Sequence, residues 1–524
     1  MTAGQLVASH MEAPEPSDAA EAVEPSDTIP LVGVEGKVPR LWTRISTTAV
    51  FVLAVVAVAV TVSNHIARAR FKWSDKTAAV ALSAMEEEYD VIVLGTGLTE
   101  CVISGLLSVS GKKVLHMDRN AYYGAESASV SLSTLYNLFG KDLGDKNIYG
   151  DFRKWNIDLV PKFIMRHGEM VKFLIYTHVE RYFDFTQIEG SYVYKRGGKV
   201  DKVPASTKEA MSSSLMGLLE KFRLKKFIDW ATNLNFDNPE TFGGVDPTNT
   251  TMDQVFHKFG LDESTAAFIG HAICLYPDDE YLEKPCDESI RRFKLYSDSL
   301  SSNGKSPYLY PLYGLGELPQ SFARLSAVHG GTYRLNTPVD EIVMHAGKVA
   351  GVKAKGLVAS AKMVIGDPSY FPDRVRKVGH VVRAICILNH PIADMGNLPS
   401  SQLILPGSQT GRKSDIYVVV LSSENRLAPE GYYLGFVSTI VETSDPTSEL
   451  QLGLSLLEPI EQKFVSVHDM YHPKDDGNDS QIFISKSLDA TTTSETVSDD
   501  IKNIHERVVG QAFDFDAVKD GSYS

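Results

Sequence analysis

Basic charge is in short supply along this 524-residue chain, where 52 Lys and Arg stand against 66 Asp and Glu for a formal net charge of -14. Phosphate neutralisation needs clustered Lys and Arg, so nucleic acid is not an expected partner. Cysteine is scarce as well. Cys101, Cys274, Cys286 and Cys386 lie far apart and make no Cys-x-x-Cys pair, which argues against a disulfide frame or a zinc site and fits small buried side chains in a reducing compartment. The 14 histidines show no paired ligand spacing, so no metal site is expected. Long apolar runs are absent but for one, Ile45 to Val62, in which only Thr61 is polar from Ala49 onward.

That run just reaches the lower end of a membrane-spanning length. It follows a tail, residues 1 to about 38, rich in Ala, Glu, Pro, Ser and Asp and expected to be disordered. It also lies too far along the chain for an ordinary cleaved signal peptide. Two readings of residues 1–84 stand side by side: a true anchor at 45–62, or an appendage to a product that begins near Met85. Arg68, Arg70, Lys72 and Lys76 after the run, against Lys37, Arg40 and Arg44 before it, would keep the larger part in the cytosol.

What the chain does have begins at Tyr89. Val91 to Leu94 is a short apolar run suited to a buried strand, broken by Gly95-Thr96-Gly97. Apolar residues then recur at helical spacing to Val109, Gly111 stops the helix, and Val114 to Met117 is a second strand tipped by Asp118. This is the layout of a dinucleotide-binding βαβ unit. One position breaks it. Glu100 stands where a third glycine belongs, and a carboxylate in the first helical turn opposes a pyrophosphate.

Further on, Leu135 to Phe139 reads as a short helix, another helix runs to about Arg181, and Ser191 to Val203 reads as a hairpin turning at Gly197-Gly198. From Ser206 to about Leu300 the period is helical. Met211, Leu215, Met216, Leu218, Leu219, Phe222, Phe227, Ile228 and Trp230 give a broad apolar face, Thr251 with Gln254 a capping box, and Ala266 to Ile273 a helix apolar nearly all round. Mixed α/β text resumes near Tyr308 with a glycine-broken turn, Gly314-Leu315-Gly316, into a helix ending about Val328. Short strands follow at Thr332–Leu335, Val339–Met344, Val349–Lys353 and Met363–Ile365, with two more at about Val381–Leu388 and Ile416–Leu421. Ile501 to Phe513 is helical. The expected fold is α/β with two domains: a flavin-domain-like part, 85–205 and 301–524, and an inserted all-helical part, 206–300.

Several strings now coincide in order: Tyr89–Asp118, Asn156-Ile157-Asp158-Leu159-Val160-Pro161-Lys162, Lys305 to Gln320, Gly330-Gly331-Thr332-Tyr333 and Gly411 to Tyr417. From about Met85 to Phe515 the chain resembles the Rab GDP dissociation inhibitors. The resemblance implies an FAD-binding-like large domain, a Rossmann-type βαβ unit with a mixed sheet, that carries neither flavin nor catalysis. Its members bind prenylated Rab GTPases in the GDP form, slow nucleotide release and cycle them between membranes and cytosol. It also implies a cytoplasmic monomer in transient contact with membranes. On this view Gly95, Gly97, Glu100 and Asp118 are a vestigial nucleotide turn.

The resemblance places Rab binding at Tyr123, Glu317, Arg324, Thr332 and Arg334, the last where methionine is expected. Spacing adds only that Glu317 and Arg324 share a helix face, which would otherwise read as a solvated surface. Tyr123 alone would read as packing. The geranylgeranyl group is expected in the helical part, at Met211, Leu215, Met216, Leu219, Phe222, Phe268, Ile269 and Ile273, although periodicity alone would read these as plain core. A membrane-recruitment loop is expected at Ser302, Asn303, Gly304, Lys305 and Ser306, with Ser302-Asn303 departing from the family's Arg-Tyr. Lys154 likewise replaces an expected aspartate. Two alternatives remain at this point: a flavin-dependent oxidoreductase of amine-oxidase-like fold using Gly95, Gly97 and Asp118, and a Rab escort protein, although no insertion typical of escort proteins is visible.

Overall fold

The computed structural model describes residues 87–205, 209, 217–300 and 305–515. The extension 1–84, with its apolar run 45–62, lies outside them. Among the described residues no helix is long and apolar enough to cross a membrane.

The strand Glu87–Leu94 is the centre of the first sheet. Its residues from Val91 to Leu94 are wholly buried, as befits a parallel strand covered on both faces. Val114–Met117 and Leu357–Gly366 flank it in parallel. Thr332–Arg334 extends the edge beyond Val114–Met117, and Ile482–Ile484 pairs with Leu357–Gly366. The antiparallel strands Lys348–Ala354 and Glu341–His345 complete it. The helices Leu98–Val109, Glu317–Val328 and Glu495–Val509 share one core with this sheet, through Val102, Leu106, Phe322, Leu325, Ile501 and Ile504.

A second sheet runs in the order Gln462–Pro473, Val375–Leu388, Tyr433–Ile440, Ile416–Ser422, Ser401–Leu405, Gly190–Lys195, Lys199–Lys202. Sequence reading located the 190–202 hairpin and parts of two long strands here. It passed over Ser401–Leu405, Tyr433–Ile440 and Gln462–Pro473, and over Ile482–Ile484 in the first sheet. The reasons are local. Gly435 breaks the apolar run of Tyr433–Ile440 in sequence although the strand continues through it, a Cβ there meeting Leu457 at 2.8 Å, while Gln462–Pro473 is a half-exposed strand at the sheet edge with too few apolar residues to alternate cleanly.

Between Leu218 and Ser299 the chain is helical. Thr251 and Gln254 make the expected reciprocal capping box on the helix Met252–Phe259. Asp262 caps the next helix, Glu263–Ala267, which widens into a π-helical turn over Phe268–Ile273. The widening lets Gly270 meet Tyr281, whose hydroxyl would lie 2.0 Å from a Cβ at that position. Helix Leu218–Asn233 turns Leu224, Phe227 and Ala231 inward, and Phe227 meets Phe293 of the helix Asp287–Ser299 edge to face at 5.3 Å between ring centroids.

Candidate functional site

The glycine turn after the first strand is filled by the chain itself. Gly95 adopts φ +95°, and Gly97 opens the helix. The Glu100 side chain folds back so that Oε2 lies 2.5 Å from where a Cβ on Gly97 would stand, while Oε1 accepts a hydrogen bond from the Ser485 hydroxyl at 2.6 Å. Burial, reinforced by the Asp367 carboxylate, raises the Glu100 pKa to about 8. Asp118 is equally committed. Its Oδ2 accepts from the Thr96 amide at 2.7 Å and the Thr96 hydroxyl at 2.6 Å, and its Oδ1 accepts from the Asn120 amide at 2.7 Å. A dinucleotide needs the cradle open and the acid free for a ribose hydroxyl. These residues do not fit one.

The same turn positions the aromatic Tyr122-Tyr123-Gly124. The Gly124 amide donates to the Thr96 carbonyl at 2.9 Å, which aims the Tyr123 ring at Tyr333, 5.9 Å away between centroids. Tyr333 stacks on His116 at 4.6 Å. Its hydroxyl meets Ser104 Oγ at 3.0 Å, and Ser326 Oγ lies 3.2 Å from Ser104 Oγ and 2.7 Å from Ser108 Oγ. Burial raises the Tyr333 pKa, so the phenol stays neutral. Thr332 and Arg334 are its neighbours on the strand Thr332–Arg334, and their side chains alternate to the other face of the sheet. Arg334 is exposed and reaches Glu87 at 3.5 Å.

The helix Glu317–Val328 lies against Leu98–Val109, where Gly105 leaves room for Phe322 and Leu325, at 3.0 and 3.3 Å from a would-be Cβ. It ends where Gly330, φ +88°, reverses the chain, and the Gly331 amide donates to the Ser326 carbonyl at 2.8 Å. Glu317 sits half-buried in the first turn, favourably placed toward the helix dipole, and burial raises its pKa. Arg324 is exposed, with its guanidinium 4.7 Å from the Tyr182 ring centroid. The glycine turn before the helix rests on Asp158. That carboxylate accepts from the Ser129 hydroxyl at 2.5 Å, from the Leu315 amide at 2.9 Å and from the Tyr310 hydroxyl. The Ser129 hydroxyl in turn accepts from the Gly316 amide at 2.9 Å.

The structure thus sets Tyr123 beside the Tyr333 ring and seats Glu317 and Arg324 on the helix bonded to that ring, but it turns Thr332 and Arg334 to the other side of the sheet, Arg334 beside Glu87, Leu115 and Met117. Sequence reading did not single out Asp158, Ser104, Ser108, Ser326, Tyr182 or Tyr333 for a role. Asp158 and Tyr333 stood inside quoted motifs, yet nothing in the sequence paired them with these partners. Of the expected lipid-pocket residues, Met211, Leu215 and Met216 lie outside the described residues. Leu219 and Phe222 are exposed, Phe268 and Ile269 are buried in the core, and Ile273 lines a separate cavity of about 680 Å³ that also touches Leu275, Arg291 and Thr493. Ser302, Asn303 and Gly304 also lie outside. Lys305 is ion-paired with Glu189, and the buried Ser306 hydroxyl donates to the Ile188 carbonyl at 2.7 Å. Lys154 is exposed on a short turn.

Comparison with known proteins gives this geometry its setting. The family model for GDP dissociation inhibitors matches residues 85–520. The chain belongs to the GDP dissociation inhibitor family. Rab GDP dissociation inhibitor beta of Rattus norvegicus and that of Canis lupus familiaris are each 56% identical to it over 436 residues, spanning 83% of this chain and 98% of theirs. The crystal structure of the Rab GDI from Plasmodium falciparum superposes with a TM-score of 0.79 at 42% identity, covering 82% of this chain and 99% of that one. An oxidoreductase from Methanosarcina mazei, 15% identical with a TM-score of 0.51, shares the fold alone over 80% of this chain and 100% of its own. Among the described residues of this inhibitor-family chain, no group of His, Cys, Asp or Glu could hold a metal ion.

Proposed function

We infer that this chain is a Rab GDP dissociation inhibitor: it binds Rab GTPases in the GDP form and slows release of the nucleotide. The observation that carries the reading is the filled turn. Glu100 occupies the nucleotide cradle, and the elements around it carry polar side chains at the surface instead, Arg324 and Arg334 exposed and Tyr123, Glu317 and Thr332 half-buried. The Rab-binding surface comprises Tyr123, Glu317, Arg324, Thr332 and Arg334. It is carried on 85–205 with 301–524, while 206–300 receives the geranylgeranyl lipid of the GTPase. An isoprenoid of some twenty carbons at ~0.8 kcal/mol each could gain on the order of 16 kcal/mol gross on burial, enough to compete with a bilayer. The chain acts as a monomeric, non-enzymatic carrier that cycles between cytosol and membranes.

Residues 85–524 mixed with liposomes bearing GDP-loaded, geranylgeranylated Rab test this reading. Extraction of the Rab into the supernatant is expected. A folded protein that leaves the Rab on the vesicles overturns it.

A further inference from the structure

The cavity of about 680 Å³ beside Ile273 lies where the helix Asp287–Ser299 faces the helices Glu169–Thr177 and Glu495–Val509. Buried Met165 and Cys274 with half-buried Leu275 and Leu295 give it an apolar lining. Charged side chains from all three helices complete it. Seating a bare isoprenoid there would strip water from those charges, so the cavity is a poor match to a lipid chain.

The cations around it are already engaged. Lys172 and Lys502 both reach Glu169, at 2.7 and 3.4 Å. Arg292 Nε donates to Glu288 at 2.8 Å, and Lys294 Nζ donates to the Leu234 carbonyl at 2.6 Å. The Arg291 guanidinium lies over the Phe236 ring, 3.9 Å from its centroid.

Glu495 is different. It lines the cavity, yet its Oε1 is buried with no hydrogen-bond partner. Gly168 makes room for that oxygen, since a Cβ there would lie 2.8 Å from it and 3.1 Å from Met165 Cβ. The backbone does not ask for glycine at this point, because φ is -72°. Burial, then the Asp499 and Glu169 carboxylates, raises the Glu495 pKa to about 7, and the opposing pull of Arg292 and Lys502 does not prevail. The carboxylate therefore lacks a positive partner that the chain itself does not supply.

We propose that this cavity is a binding site for a primary ammonium on an apolar stem, the chemistry of a lysine side chain or of a free alkylamine, with Glu495 as its ion-pair partner. An ammonium brings three donors to the carboxylate. Its methylene stem lies along Met165, Leu275 and Leu295, as long cationic side chains lie along apolar surface. Cavities of this volume hold drug-sized ligands, so there is room for the peptide that would bear a lysine.

The test is calorimetric titration of the full chain with two probes. Hexylammonium chloride is a free amine, and Nα-acetyl-lysine N-methylamide carries the same group on a peptide unit. Hexan-1-ol and sodium hexanoate are the uncharged and oppositely charged controls. At least one amine is expected to bind at roughly millimolar concentration, the tighter of the two marking the source, with neither control binding. Glu495→Gln keeps the shape and removes the charge. It is expected to weaken the amine about tenfold or more while melting at or above the unaltered chain. Failure of both amines to bind overturns the site. Equal binding of hexan-1-ol overturns it too, by making the cavity merely apolar, as does equal amine binding by a folded Glu495→Gln chain. Should that variant not fold, the unaltered chain still decides: preference for an ammonium over both controls upholds the site, and no preference overturns it.

Discussion

His271 Nδ1 and Asp415 Oδ2 meet at 2.9 Å with neither side chain exposed, joining the π-helical turn to the strand Ile416–Ser422. His271 Nε2 has a second carboxylate, Asp279, also at 2.9 Å. Burial alone would lower the histidine pKa, but Asp415 and Asp279 outweigh it and raise it to about 10. The ring is thus an imidazolium throughout the physiological range. Because the folded pKa lies above the unfolded value, this stabilisation is complete below about pH 6.5 and is lost as pH rises toward 10. Removing the ring leaves Asp415 buried and unpaired, so His271→Ala is expected to cost about 3–5 kcal/mol in urea unfolding at pH 7. The difference between the two proteins should shrink steadily as pH rises from about 6.5 to about 10.

Glu100 has the opposite effect. A carboxyl that is easier to protonate in the fold than in the unfolded chain costs nothing while neutral in both states. It opposes folding increasingly as pH rises from about 4.5 to about 8. Glu100→Gln keeps a polar partner for Ser485 without the charge. The variant should unfold at higher urea than the unaltered chain at pH 8 and near the same concentration at pH 4.5. A larger gap at low pH would contradict the assignment.

In the proposed GTPase contact, Glu317 and Arg324 lie on a well-packed helix but carry little of its packing themselves. Glu317→Ala and Arg324→Ala should each weaken Rab–GDP binding by about 1–2 kcal/mol in calorimetry. Arg324→Ala should leave the melting temperature nearly unchanged, since its contact with Tyr182 is at the surface. Equal losses of stability and binding would mean that these residues only support the fold.

Arg334→Met restores the residue expected of relatives. The ion pair it breaks, 3.5 Å to Glu87 between exposed side chains, is worth under about 1 kcal/mol. Unfolding should therefore hold steady while the set of Rabs bound shifts, measured as relative affinity across a panel. Unchanged selectivity would remove Arg334 from the contact.

The sequence was most legible where one chemical demand dominates one position. Gly95 and the Thr251–Gln254 box each meet a single local geometric need, and the structure shows them as expected; Asp118 does stand just past the second strand, but its bonds to Thr96 and Asn120 were not legible. What stayed hidden was reciprocity across distance. Asp158 reads as one acid in an apolar run, yet its partners come from Ser129, Tyr310 and Leu315. Ser104 and Ser108 interrupt an apolar helix with no visible reason until Ser326 and Tyr333 arrive from residues more than two hundred positions away. The helical stretch misled in another way. Leu219 and Phe222 fit the apolar period, but the helix turns Leu224, Phe227 and Ala231 inward and leaves those two in solvent.

All four cysteines are buried, and burial pushes each thiol upward, Cys286 to about 11 and Cys274 and Cys386 to about 12. An alkylating probe needs an accessible thiolate, and the native chain offers none at neutral pH. One cysteine introduced on the surface would therefore be the single site a fluorophore or cross-linker could label, so a reporter can be attached to this protein without first stripping it of its own sulfur.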